Sequence, residues 1–134
     1  MFDLDYSIIR PHNVVGLYQN IWDRYRNVIG IWIRKILDGD PLTIFGDGTQ
    51  RRAFSDIDFY MEPFEKLMTD RSTDGETYNI GADKDYTINE AADLLIEVAA
   101  KFGYEASKEY LEARKEVQII QRLASTWGLM IIRT

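Results

Sequence analysis

Arg51 and Arg52 end the segment Gly46-Asp47-Gly48-Thr49-Gln50-Arg51-Arg52, in which a glycine-rich turn runs into two guanidinium groups. A planar guanidinium forms paired, charge-assisted bonds to phosphate or carboxylate oxygens, so the chemistry on offer is anion recognition. Asn13 follows a short β-branched run, and Asn27-Val28 opens an apolar-periodic stretch. Unpaired amides and the dipole at such a helix start also favour an anion. Tyr104 and Lys108 have the spacing at which a lysine could lower a phenol pKa that otherwise stays at about 10. Plainer readings compete with each of these. Asn13 near a glycine is ordinary turn chemistry, Phe45 on a strand is a core residue, and Arg51 and Arg52 make a solvated pair. His12 is the only histidine and reads as a turn residue. Asp56 and Glu62 have no partner motif and no acid–base role. The chain has no P-loop, no zinc-ligand spacing and no Ser-His-Asp set.

The elements that would position these groups alternate between strand and helix. Tyr6 to Ile9 is short, partly β-branched and ended by Arg10-Pro11, whose ring holds the preceding residue extended. The spacing predicts a helix over Asn27–Leu37, with Gly39 just past its end. Leu42 to Phe45 reads as a strand closed by the Gly46-Asp47-Gly48 turn, and Ala53 to Ile57 as a further short extended piece. A second helix is expected over Phe59–Met68, with Pro63 tolerated in its first turn. Thr77 to Ile80 is a strand, and Thr87-Ile88-Asn89-Glu90 is a capping box that starts a third helix over Asn89–Phe102. Gly103 stops it.

Composition sets the outer bounds. A chain of 134 residues supports one domain with a real core, and 46% hydrophobic content is that of a globular protein. The net charge of −6 argues against general nucleic-acid binding, which needs a basic surface. With no cysteine there is no disulfide framework and no thiolate metal site. Met1 to Asp5 has neither the basic nor the apolar region of a signal peptide. No apolar run approaches the roughly 20 residues that span a bilayer. A cytoplasmic chain with no membrane partner is the expectation.

Three blocks carry a resemblance: Ile9-Arg10-Pro11-His12-Asn13-Val14-Val15-Gly16, then Gln19 to Gly30, then Pro41 to Phe54. In this order and spacing they resemble the NAD-dependent epimerase/dehydratase family, the extended short-chain dehydrogenases, and most of all its UDP-glucose 4-epimerase branch. The resemblance implies an α/β substrate-binding domain, and a UDP-sugar as its ligand. It implies that Arg52 and Arg114 hold the diphosphate, and that Asn13 contacts the diphosphate or the sugar. By the same resemblance Asn27 and Val28 make substrate contacts, and Ile44 and Phe45 border the uracil. Family catalysis needs a tyrosine base, a lysine four residues on, a nearby Ser or Thr, and NAD. In the family that pair lies upstream of the Arg10-Pro11-His12-Asn13 block, so Tyr104 and Lys108, far downstream, are a chance match. No strand–GxxGxxG–helix fingerprint is present either. The resemblance therefore implies that this chain lacks the nicotinamide-binding half, has no catalytic residue and no cofactor site, and is inactive alone.

The resulting expectation is one domain over residues 1–134, with two or three short strands, three main helices and a divergent apolar tail at 118–134. Ile8, Ile9, Ile29, Ile33, Leu37, Leu42, Ile44, Leu94, Val98 and Phe102 are expected to be buried, and the first strand to be left with bare edges. Exposed apolar surface implies association. The partner is either a second copy, with residues 123–132 exchanged, or a separately encoded NAD-binding domain. Two functions fit: the UDP-sugar-binding part of an epimerase or dehydratase, or a non-catalytic structural or regulatory dimerisation module derived from one.

Overall fold

Alternation along Leu42-Thr43-Ile44-Phe45 organises the molecule, because Leu42 and Ile44 are fully buried while their neighbours are half-buried. The protein is described here by a computed structural model covering residues 4–113. In chain order the elements are β1 (Ile8–Pro11), β2 (Asn13–Val15), α1 (Val28–Asp38), β3 (Leu42–Phe45), β4 (Arg51–Asp56), α2 (Met61–Thr69), β5 (Thr77–Ile80), β6 (Asp85–Thr87), α3 (Ile88–Lys101) and β7 (Lys108–Leu111). One 3-10 turn, Ile57–Tyr60, leads into α2, and another, Arg71–Thr73, follows it. The α/β class and the three helices are as expected. Strands are more numerous than the two or three expected, since the described residues hold seven. The extra ones are short, and β2, β6 and β7 carry asparagine, aspartate and lysine, which strand propensity disfavours.

The strands form three small sheets: β1 parallel to β5, β3 parallel to β7, and β4 between a parallel β2 and an antiparallel β6. β1 therefore has one edge paired with β5, Ile8 opposite Thr77 and Pro11 opposite Ile80, where bare edges were expected. Pro63 is the third residue of α2, in the first turn, where its missing N–H leaves no bond unmade.

The core is built on β3. Trp32 and Ile36 of α1 and Ile88, Ala91, Ala92 and Ala99 of α3 close over Leu42 and Ile44. The alanines let α3 approach closely. Of the residues expected inside, Leu42 and Ile44 are buried, and Ile9, Ile29 and Ile33 are half-buried. Ile8, Leu37, Leu94, Val98 and Phe102 are exposed, Phe102 to 76%. Both helical stripes were placed about one row off. Rows 29-33-37 and 94-98-102 are apolar as well, but a helix touching one strand buries only a narrow row. No residue of α2 is fully buried, and Phe59, Met61, Phe64 and Met68 on and before it are exposed. No helix among the described residues is long and apolar enough to cross a membrane.

The capping box forms as expected. The Thr87 hydroxyl accepts from the Glu90 amide at 3.0 Å, and the Glu90 carboxylate accepts from the Thr87 amide at 2.7 Å. That amide holds Glu90 below its usual pKa, and the Arg51 guanidinium does the same to Asp85. In both cases the folded pKa lies under the unfolded one. Their contribution to stability is complete above the unfolded value, about 4 for such carboxylates, and is lost as pH falls through the folded value. The thermal midpoint should therefore hold between about pH 7 and 5 and drop below about pH 4. Glu90→Gln should start lower and show a flatter acid limb, as read by circular dichroism melts.

Candidate anion-binding cleft

Residues 28, 31, 32 and 35 recur at helical spacing along one face of α1, so Val28, Ile31, Trp32 and Lys35 look together onto the outer edge of β3. Between them and β4 lies a cleft of about 400 Å³, lined also by Asn13, Arg24, Tyr25, Asn27, Thr43, Phe45, Gln50, Arg52, Phe54 and Ile88. Its cations are Arg24, Lys35 and Arg52, and its lining holds no carboxylate. A larger hollow of about 670 Å³ beside α2 has the opposite character, with Asp58, Glu62 and Asp70 against Lys66 alone. Charge decides between the two. An anion fits the smaller cleft.

The structure separates the two adjacent arginines. Arg51 is bound twice by Asp85, each bond 2.8 Å, across the β4–β6 pair. Arg52 points to the cleft side, donates only to the Arg51 carbonyl at 2.7 Å, and has no carboxylate partner among the described residues. Asn13 pairs with Phe54 and donates to the Ala53 carbonyl at 2.9 Å, which fixes its amide beside Arg52. Asn27 caps α1 with φ at 60°, accepting from the Ile29 amide at 3.2 Å and donating to the Val14 carbonyl at 2.5 Å. Asn27 thus ties the helix start to β2. Val28, whose amide is a first-turn donor with no intrahelical acceptor, also lines the cleft.

Asn13, Asn27, Val28, Phe45 and Arg52 come together in this one cleft. Ile44 does not join them, since its side chain is in the core. Its backbone belongs to the β3–β7 ladder, whose bonds include the Leu42 amide to Ser107 and the Gly46 amide to Leu111, each a residue pair away on either side. The groups turned toward the cleft are those of Thr43 and Phe45, and both carbonyls already accept: Thr43 from Trp32 Nε1 at 3.0 Å, Phe45 from Gln50 Nε2 at 2.7 Å. Arg114 and the tail at 118–134 lie outside the described residues. The position of Lys35, Trp32 and Gln50 was missed from sequence, although the helical spacing from Val28 points to residues 32 and 35.

The remaining candidates are held structurally. Lys108 is paired with Asp93 at 2.6 Å. His12 packs against Gly81, where a Cβ would meet its ring at 2.0 Å. Gly46 and Gly48 make the tight turn between β3 and β4, and the space beside Gly48 is filled by the Asn89 carboxamide. The turn enters a strand, not a helix. Among the described residues no group of three or more metal-ligating side chains occurs.

The fold is α/β, with a cationic cleft at a helix start whose lining holds no carboxylate, and the comparisons give its lineage. Residues 1–81 match the model of the NAD dependent epimerase/dehydratase family, and the chain belongs to that family. It is 35% identical over 89 residues to the UDP-N-acetyl-alpha-D-glucosaminuronate decarboxylase of Bacillus cytotoxicus, a match covering 66% of this chain and 27% of that one. The crystal structure of UDP-glucose 4-epimerase with UDP-glucose from Thermotoga maritima superposes with a TM-score of 0.73 at 30% identity, over 84% of this chain and 34% of that one. The UDP-N-acetylglucosamine 4-epimerase of Methanobrevibacter ruminantium, solved with UDP-N-acetylmuramic acid, gives 0.67 at 30% identity, over the same shares. The chain thus spans between about a quarter and a third of the length of these relatives.

Proposed function

We propose that this chain is the nucleotide-sugar-binding part of an NAD-dependent epimerase or dehydratase, and that the α1–β3–β4 cleft takes the diphosphate and base of a UDP-sugar. The observation that carries the reading is Arg52: a guanidinium without a carboxylate partner among the described residues, beside a helix start, in a cleft lined by cations and aromatic rings. Relatives solved with UDP-glucose and UDP-N-acetylmuramic acid support it. The diphosphate lies between Arg52, Asn13 and the Val28 amide, and the flat base lies further along the cleft against Phe45 and Thr43. On this reading the described residues recognise the nucleotide and do not themselves carry the turnover. The exposed apolar residues of α2 are where a nicotinamide-binding domain or a second copy packs.

Titration calorimetry with UDP tests the binding. Affinity should be weak, about 1 mM or roughly −4 kcal/mol, because an open cleft gives few contacts against the ordering cost. Arg52→Ala should weaken UDP by roughly 1.5–3 kcal/mol, the worth of a hydrogen bond to a charged group. Arg51→Ala should leave UDP affinity nearly unchanged, since Arg51 serves Asp85. Measurable UDP binding that Arg52→Ala does not touch would remove the diphosphate from this cleft.

A further inference from the structure

α3 turns its alanines inward and leaves larger apolar side chains outside. Ala91, Ala92 and Ala99 are buried against the core, while Leu94, Val98 and Phe102 are exposed. Residues 94, 98 and 102 are spaced by four, so they form one row along the helix. Beside the row lies a hollow of about 300 Å³, between Leu94, Leu95 and Val98 of α3 and the rings of Phe54 on β4 and Tyr86 on β6. Ala91 also lines it, and no charged side chain does. Packing on β3 accounts for the alanines. It does not account for a continuous apolar row and hollow on the outer side, and such surface marks an interaction site.

The order of charges along α3 points to what covers it. Glu90, Asp93 and Glu97 come first and Lys101 comes last. Asp93 turns to the β7 side, where Lys108 holds it at 2.6 Å. Glu90, Glu97 and Lys101 follow one edge of the apolar row, with Glu97 and Lys101 paired at 2.8 Å. Consider a second α3 laid antiparallel, with Leu94 of each copy against Val98 of the other. Lys101 of each copy then comes near Glu90 of the other, and Phe102 comes over Ala91, where the side chain is only a methyl group. The two helix dipoles also run in opposite senses, which is the favourable arrangement. A parallel pair would set Glu90 on Glu90 and Lys101 on Lys101. The antiparallel contact uses the same patch twice, so it closes at two copies.

We infer that the outer face of α3 is a homodimer interface, across which a second copy of this chain lays its own α3 antiparallel, Leu94 on Val98, with Phe102 seated beside Ala91 and Tyr86. The inference does not depend on what the α1–β3–β4 cleft binds. No residue of α2 lines this hollow, so the surface proposed for a nicotinamide-binding domain stays open in the dimer.

The chain has no cysteine, so engineered thiols report the pairing directly. Light scattering after gel filtration of the full chain should give a dimer mass that falls to the monomer on dilution. Val98→Glu, at a half-exposed site, should raise the dimer dissociation constant more than about tenfold and leave the circular-dichroism spectrum unchanged. Leu94→Cys mixed with Val98→Cys should oxidise to the mixed disulfide at least about fivefold faster than either variant forms its own, because the antiparallel pair brings residue 94 beside residue 98. A monomer mass for the parent chain overturns the inference, whether residues 114–134 or nothing at all then covers the face. A dimer that survives Val98→Glu is held elsewhere, as on α2, and overturns it too. Disulfides formed only within Leu94→Cys and within Val98→Cys would mean parallel helices, against the inference. If Val98→Glu fails to fold, the disulfide pattern decides by itself.

Discussion

Trp32→Ala should cost about 3–5 kcal/mol of folding stability, the range for deleting a fully buried tryptophan. Trp32 has no exposed surface, lies between α1 and β3, and donates its indole N–H to the Thr43 carbonyl at 3.0 Å. Removal leaves a cavity over Leu42 and Ile44 and releases a backbone carbonyl at the cleft floor. A domain of this size has a total stability of about 5–15 kcal/mol, so the variant should sit near the edge of folding at room temperature. Urea denaturation should show its midpoint collapse toward zero denaturant. A loss under about 1 kcal/mol would mean that the core does not centre on β3.

Gly48→Ala should be the second severe change, at about 2–4 kcal/mol. Gly48 has φ at +72°, a left-handed conformation that alanine enters only with strain. The new Cβ would also lie 2.4 Å from the Asn89 side-chain oxygen. That carboxamide cannot yield cheaply: its nitrogen donates to the Asp47 carbonyl at 2.9 Å, its oxygen accepts from the Tyr110 hydroxyl at 2.9 Å, and the Asn89 amide donates to the Gly48 carbonyl at 3.0 Å. One methyl group would thus strain the β3–β4 turn and loosen its bonds to α3 and β7 together. Gly39→Ala is the control, because Gly39 also has a left-handed φ, +76°, but its Cβ would meet nothing within 4 Å. The difference between the two melting shifts measures the Asn89 clamp. Equal shifts would show that backbone strain alone acts at Gly48.

How far the fold was legible in the sequence depended on whether a signal was local. The capping box at Thr87 and Glu90, the glycine at the end of α1 and the strand Leu42–Phe45 are local signals, and they located their elements to within a residue. The short strands β2, β6 and β7 have no such signal, since pairing across the fold makes them strands. Burial was legible on β3, where the period of two leaves one choice of face. It was misplaced on α1 and α3, where apolar residues lie on more than one row and contact with β3 selected Trp32, Ile36 and the small alanines over Leu37 and Leu94. In the cleft, Asn13, Asn27, Val28, Phe45 and Arg52 were legible through family resemblance and converge as a group. Lys35 was not, because a lysine in a helix reads as solvated surface until the strand beside it is known.

The parallel pairing of β3 with β7 sets Leu42 against Lys108, and that of β1 with β5 sets Ile8 against Thr77, each closing a loop of more than sixty residues. Such distant pairings require the entropy of closing a long chain segment before any ladder bond repays it, and this slows folding. During synthesis β3 emerges long before its partner, so its Ile44 and Leu42 must wait against α1 alone. The Trp32 contact between α1 and β3 is local in sequence by comparison, and it is the natural first foothold for that wait. Order of assembly in this chain would then run from the cleft outward, with the floor of the cleft in place before the sheets that frame it are complete.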